Sequence, residues 1–429
     1  MKSLLLYLAL LLLIGCIFGD PGDLVWKYTT GYPVYSSPIV SDDVVYIGSG
    51  DNSVYALDAS DGSLKWKYAT TGAVVSSPYL SDGVIFIGSM DYSLYAINAT
   101  DGTLKWSHPT SNMILSSPYV TGGVVYFGGG DTYVYALNAS DGTQKWRYMT
   151  GNRIVSSPAV TGGYLYIGSG DNYLYALNAT TGTIVWKFRT GGLVDSSPLI
   201  SNSIAFFGSG DTYVYAINAV GETHFVILPI WSYKTGMGIS LSSPRIADGV
   251  LYIGSQDSSL YAINAASGAL VWSYKAGDKI LSSPNVTGGV AYIGSNDTYL
   301  HAVNTSDGSV IWSYKTGNLI YSSPCYANAV IYVGSTDYSV YAIEASGTTS
   351  FKDKFSSNHL PYISLSAYPN PFTNSLTINL PSTGSVYTLT GQLIMQLDKG
   401  RHSIDTSKWM EGVYIIRAGS ESMRIVKGR

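Results

Sequence analysis

Eight aspartates recur along the chain, at Asp51, Asp91, Asp131, Asp171, Asp211, Asp257, Asp297 and Asp337. Each lies in a close copy of GSGDNSVYALDASDG, the stretch at residues 48–62. Carboxylates repeated at one place in a fold could gather cations at a common mouth, ligate a metal or act as a general base. Two other markers keep the same period of about 40 residues. Tryptophan falls at Trp26, Trp66, Trp106, Trp146, Trp186, Trp231, Trp272 and Trp312, and the triplet SSP begins at 36, 76, 116, 156, 196, 242, 282 and 322. Three markers agreeing on eight units identify a repeat architecture. A residue that every unit needs in order to fold must appear in every unit. The aspartates therefore read as turn carboxylates that accept hydrogen bonds from nearby amides and a serine. The tryptophans read as wedges between neighbouring units.

The elements that would hold these residues are strands. VVSSPYL, GVIFIGS, SLYAINA and TLKWSHP in one unit alternate apolar and polar residues and are separated by short turns of the SDG, MDY and TDG type. Four strands in about 40 residues make a propeller blade. The chain opens with DLVWKY, a lone fourth strand, while its last unit stops at VYAIEASG without a tryptophan strand. The expected fold is all-β: an eight-bladed β-propeller whose N-terminal strand closes the last blade, followed by a small β-sandwich. Closure in this way removes an open sheet edge.

With 429 residues, 12% charged residues and a net charge of −4, the chain shows no basic stripe, which excludes nucleic acid as a partner. MKSLLLYLALLLLIGCIFGD carries Lys2 before an apolar run, the pattern of an export signal cut after Gly19. The run is too short and too terminal for a lasting transmembrane span, so none is expected in the mature chain. Leu13–Cys16 also resembles a bacterial lipobox, in which Cys16 would be lipidated. The only other cysteine is Cys325, so the mature chain forms no internal disulfide and its stability comes from packing.

The stretches ALNASDGTQKW, ALNATTGTIVW and AINAASGALVW resemble the tryptophan-docking repeat of pyrroloquinoline quinone (PQQ) type propellers over residues 24–347. That resemblance implies the fold. It leaves activity open, since such propellers serve dehydrogenases, assembly lipoproteins and other proteins. A dehydrogenase of this kind implies PQQ and Ca²⁺ as cofactors, with an aspartate as base. The residues for it are sparse: two propeller glutamates, Glu222 and Glu344, and four arginines, Arg147, Arg153, Arg189 and Arg245. Calcium wants several oxygen ligands, and the quinone's carboxylates want arginine forks. The relatives' adjacent cysteine pair and pocket-building insertions are also missing. The histidines His108, His224 and His301 occupy unrelated repeat positions, so no metal site is read from them. No catalytic, metal or cofactor residue is assigned. His301 stands where the other seven units have tyrosine.

Departures from the repeat mark the candidate ligand face. Asp195 precedes SSP where other units place Val, Leu or Tyr, Arg245 follows it, and Arg153 and Lys279 decorate interblade loops. Tyr133, Tyr173, Tyr213 and Tyr299 replace serine on the third strand. Such amphipathic aromatics suit a protein or glycan ligand. The unit holding NAVGETHFVILPIW (218–231) is longer than the rest, either as an extended outer strand or as a docking protrusion.

After Gly347 the repeat ends. YPNPF (368–372), TLTGQLI (388–394), IDTSKWMEGVYIIR (404–417) and RIVK (424–427) resemble the C-terminal sorting domain of the type IX secretion system. The resemblance implies a bacterium of the Bacteroidota type, export across the outer membrane, and removal of the domain. The expected organisation is a signal peptide at 1–19, the propeller at 20–347, a linker at 348–363 and the sorting domain at 364–429. The expected function is a monomeric, secreted or surface-displayed binding module. Its rivals are a PQQ/Ca-dependent alcohol or sugar dehydrogenase and a periplasm-facing outer-membrane assembly scaffold lipidated at Cys16.

Overall fold

The structure is a computed structural model that describes residues 20–220, 228–345, 366–368, 375–380, 383–388, 392–398, 400–409, 412–418 and 421–427. The export segment with Cys16, the centre of the long 218–231 stretch, the linker 348–363 and parts of the sorting motifs lie outside the described residues. The chain divides into two compact units, Met1–Ser350 and Phe351–Arg429. All regular structure among the described residues is β, and among those residues no helix is long and apolar enough to cross a membrane.

The first unit holds eight four-stranded antiparallel sheets, seven of them simple meanders in chain order. Sheet one runs through Ile39–Ser41, Val44–Ser49, Ser53–Asp58 and Leu64–Ala69. Sheets two to seven repeat that plan over 79–109, 119–149, 159–189, 199–234, 245–275 and 285–315. Sheet eight takes three strands from 325–344 and its fourth from the N-terminus, where Leu24–Thr29 pairs with Ser339–Glu344. The second and third strands are nearly all buried, while the fourth alternates between exposed positions and an inward tryptophan. That difference follows from sheets packed face to face, whose outermost strand keeps one face and one edge in water.

Each tryptophan is a rivet between consecutive sheets. Its indole N–H donates to the main-chain oxygen of Ala59, Ala99, Ala139, Ala179, Ala219, Ala265, Thr305 or Ala345 in the next unit, at 2.8–3.3 Å. For six of the eight, among the described residues, the ring lies over the glycine of the neighbouring hairpin. Gly62, for example, holds φ at +75°, and a Cβ there would come within 2.7 Å of the Trp26 ring. Trp312 docks instead on Gly22, which the N-terminal PGD turn supplies at φ +92°. The N-terminus therefore contributes a turn glycine as well as a strand.

A second close approach fixes the Gly–Ser end of the second strand. Its glycine N–H donates to the first serine of SSP at 2.8–3.2 Å in all eight units. At Gly168 a Cβ would overlap the carbonyl oxygen of Val194 from the adjoining loop. Backbone cannot yield as a side-chain tip can. Gly168→Ala is expected to cost about 1–3 kcal/mol by overpacking. Denaturant unfolding checks this, and an unchanged midpoint would contradict it.

The second unit contains a three-stranded sheet, with Ser375–Leu380 between Ser366–Tyr368 and Gly400–Asp405, and a four-stranded sheet built on Gly384–Thr388 and Gly412–Ala418. Leu376, Ile378, Leu380 and Ile404 from the first sheet share a core with Val386, Tyr414 and Ile416 from the second.

Candidate functional site

The eight aspartates are committed to partners within the fold. Each Oδ2 accepts the backbone N–H of the residue 20 or 21 positions earlier, at 2.6–2.9 Å, in the loop arriving from the preceding sheet. In seven units the same oxygen takes a tyrosine hydroxyl from four residues on, at 2.5–2.9 Å. Seven of the eight also accept the N–H two residues on, while Asp51 Oδ1 has no hydrogen-bond partner. The residue after each aspartate sits at φ between 66° and 80°, a left-handed conformation in which none of the eight is glycine. Such a residue carries about 1–2 kcal/mol of strain, which the carboxylate offsets by binding both the turn and the incoming loop.

His301 takes the tyrosine's place in sheet seven. Its Nε2 lies 3.0 Å from Asp297 Oδ2, and its Nδ1 is 3.1 Å from Tyr274 Oη and 3.0 Å from Ser313 Oγ. The ring is buried. Serine, histidine and aspartate thus meet on the outer part of a sheet, but Ser313 stands on an exposed strand outside the channel described below.

Burial pushes the Asp257 carboxyl up, but hydrogen bonds from Tyr261, Ser259 and Gly236 together hold it below the usual carboxylate range. Asp51 and Asp297 are held low in the same way, Asp51 by Tyr55 and the Gly31 amide and Asp297 by His301 and the amides of Tyr299 and Gly277. A carboxyl depressed in the folded state contributes stability above its unfolded pKa, and that stability disappears as pH falls through the folded value. Thermal stability is therefore expected to be level at neutral pH and to drop below about pH 4. Tyr261→Phe should lose about 1.5–3 kcal/mol at pH 7 and much less at pH 3. Equal losses at both pH values would sink this account.

The second serine of each SSP lines a central channel. Its backbone N–H donates to the corresponding Oγ in the next sheet at 2.8–3.0 Å, from Ser37 through Ser77, Ser117, Ser157, Ser197, Ser243, Ser283 and Ser323 and back to Ser37. The circuit closes on itself. The cavity it encircles measures about 510 Å³ and is lined by these serines and by the residues before SSP, which include Tyr35, Leu115, Val155, Leu281 and Tyr321. Arg153 and Asp195 also line it.

These two charged residues come from neighbouring loops, with Arg153 Nη2 3.6 Å from Asp195 Oδ2. Asp195 is 8% exposed, and its Oδ1 has no hydrogen-bond partner. Burial pushes its carboxyl up, and Arg153 offsets only part of that. The other candidate residues do not line this cavity. Tyr133 and Tyr173 lie under the fourth-strand cations Arg147 and Lys187, at 4.5 and 4.2 Å. Tyr213 packs on Tyr215, and Tyr299 stacks on His301. Arg245 is exposed on the first strand of sheet six, and Lys279 is exposed in the loop entering sheet seven. Sequence reasoning passed over the paired tyrosines Tyr35 and Tyr321, whose rings stand 5.7 Å apart at the channel wall. Their only signal is aromatic character where five other units carry Val or Leu and one carries Asp195. Among the described residues no three of His, Cys, Asp or Glu converge as a metal site would require.

Residues 70–157, 150–278, 228–298 and 256–367 match the family profile described as outer membrane protein assembly factor BamB. Residues 366–428 match the secretion system C-terminal sorting domain. No curated protein matches the chain. Among solved structures, BamB from Moraxella catarrhalis has 18% identity and a TM-score of 0.65, covering 75% of this chain and 99% of that one. The computationally designed Ika8 protein has 12% identity and a TM-score of 0.67, over 75% and 100% of the two chains. The quinohemoprotein alcohol dehydrogenase ADHIIG from Pseudomonas putida HK5 has 17% identity and a TM-score of 0.62, over 80% and 79%. At these identities what is shared is the fold. An assembly factor, a designed protein and an oxidoreductase all carry it.

Proposed function

We propose that this chain, which belongs to the PQQ-type repeat family described by outer membrane protein assembly factor BamB, is an exported eight-bladed β-propeller that works as a binding module. On this reading residues 1–19 are a cleaved signal, 20–347 the propeller, 348–363 a linker and 364–429 a small β-sandwich that type IX secretion machinery recognises. The mature protein acts at the cell surface or outside it, on a protein or glycan ligand. The observation that carries the reading is that a closed serine circuit surrounds a channel whose repeat is broken on one wall by Arg153 and Asp195. Nearly identical blades have no need of such a break for folding, so the departure is where selectivity would lie.

The channel's donor set does not fit a calcium-bound quinone. It offers one carboxylate, already beside a guanidinium, whereas Ca²⁺ takes about 6–8 oxygen ligands and usually several carboxylates. The eight turn aspartates are engaged with their own loops and cannot supply the remainder. Two measurements test the reading. Intact-mass analysis of the protein from the medium and cell surface should find it starting at Asp20 and lacking 364–429. Lipid on Cys16 with the C-terminus retained would favour the assembly-scaffold alternative. The full chain should retain a ligand on a printed glycan array or a protein-coated surface, and should take up no PQQ in a calorimetric titration with Ca²⁺. Uptake with dye reduction on alcohols or sugars would overturn the binding-module reading.

A further inference from the structure

We propose that the channel wall formed by Arg153 and Asp195 recognises a neutral, polyhydroxylated group, the terminal sugar of a glycan, with Tyr35 and Tyr321 as the apolar surface opposite. The inference rests on the binding-module reading and names the ligand class of that same channel.

The two charged residues leave hydrogen-bonding capacity unused. They stand 3.6 Å apart as an ion pair, with no hydrogen bond between them. Asp195 is more than nine-tenths buried, and one of its oxygens has no partner, while half of the Arg153 side chain remains exposed. Rotation about the aspartate χ2, a broad torsion, exchanges its two oxygens, so a donor in the channel can reach either. One wall therefore holds spare acceptor capacity on the carboxylate and spare donors on the guanidinium. A buried polar group without a partner costs about 1–3 kcal/mol, so a ligand that satisfies it gains that much selectivity over one that does not.

The chemistry of the pair then narrows the ligand. A cation placed on Asp195 meets the guanidinium beside it, and an anion placed on Arg153 meets the carboxylate. An apolar ligand leaves both groups unpaired in a desolvated wall. A neutral group with both donors and acceptors suffers none of these penalties. The rest of the channel favours sugar over a peptide amide. Each circuit serine already accepts an N–H at its Oγ and keeps a proton to donate, so an oxygen-rich ligand meets donors around the whole channel. Tyr35 and Tyr321 enter sheets one and eight, across the circuit from the loops of sheets four and five. Sugar rings present apolar C–H faces and polar edges, which matches an aromatic wall facing a polar one. A cavity of about 510 Å³ is of a size suited to a small ligand.

The test uses the full chain and saturation-transfer NMR with methyl α-D-glucopyranoside, methyl α-D-mannopyranoside and methyl β-D-galactopyranoside, each compared with glucuronate and glucosamine. At least one neutral glycoside should bind, and bind ~10-fold or more tightly than either charged sugar, as unpaired or repelled groups in a desolvated site require. Asp195→Val and Arg153→Met place residues that the repeat itself uses, at Val155 and Met113, so both variants should melt like the parent. Each should weaken glycoside binding by ~10-fold or more, the loss expected when a site's hydrogen-bonding group is removed. Equal binding by the variants, tighter binding of a charged sugar, or no transfer from any glycoside overturns the proposal. If the chain still captures a glycan or protein on the arrays and Asp195→Val leaves that capture unchanged, the binding-module reading stands and the channel assignment falls. If the chain captures nothing at all, both fall together.

Discussion

Removing Leu24–Thr29, with the export segment kept in front of Thr30, is expected to leave no soluble monomer. That strand is the fourth of sheet eight and pairs with Ser339–Glu344 from Thr29↔Ser339 to Leu24↔Ile343. It also brings Trp26, which packs with Val34, Val45, Leu57 and Val340 and donates its indole N–H to Ala59. The flanking main chain adds hydrogen bonds from Gly22 to Glu344 and from Glu344 to Asp23. Losing the tryptophan alone should remove about 3–5 kcal/mol, a large share of a typical domain's stability. Deletion adds a second injury, because the 339–344 strand becomes an open edge, ready to pair with another chain. Trp146→Ala separates the two effects. It removes an equivalent rivet, buried and bonded to Ala179, without opening an edge. The deletion should aggregate in size-exclusion chromatography, and Trp146→Ala should stay monomeric with a lowered melting temperature. A monomeric deletion variant melting like the parent would refute the closure argument.

Deleting 366–428, the residues matching the sorting domain, is expected to move nearly all of the protein from the medium and surface to the cell interior while the propeller stays folded. A point substitution makes a sharper version. Ile416 is fully buried, in a core shared with Leu376, Ile378, Val386 and Tyr414. Ile416→Asp places an unpaired carboxylate there, which costs several kcal/mol in so small a module. If the machinery reads the folded sheets, Ile416→Asp should be retained like the deletion. Fractionation and immunoblotting read the outcome. Continued export of Ile416→Asp would mean that a linear signal suffices, and continued export of the deletion would remove the tail from the export pathway.

Much of the fold was legible because repetition makes each unit report on the others. A tryptophan that must cross to the next sheet, a glycine that must lie beneath it and an aspartate that must hold a left-handed turn face the same neighbours in unit after unit. The same physical requirement therefore selects the same residue at a constant interval. The tyrosine that binds seven of the aspartates was visible in the repeat, but its partnership was not. Strand alternation assigns a side chain to a face without saying which atom it meets. Tyr133 and Tyr173 show the same limit, since alternation left open that fourth-strand cations would cover them. Gly22 escaped notice as a turn glycine of the same kind because it lies nearly 300 residues before its tryptophan, Trp312.

The repeat, the strand order, the closing role of DLVWKY and the family of the tail could all be read in one dimension. They follow from local periodicity and from motifs contained within single stretches of chain. Which departures from the repeat meet is a matter of three dimensions. Arg153 and Asp195 are each an isolated irregularity in one unit, 42 positions apart in sequence. They become a pair because the serine circuit brings the loop of one sheet beside the loop of the next and turns both toward one channel. Arg245 and Lys279 look equally irregular along the chain and do not line that channel. Proximity across a ring is set by closure, and closure depends on hydrogen bonds between units that no single unit encodes.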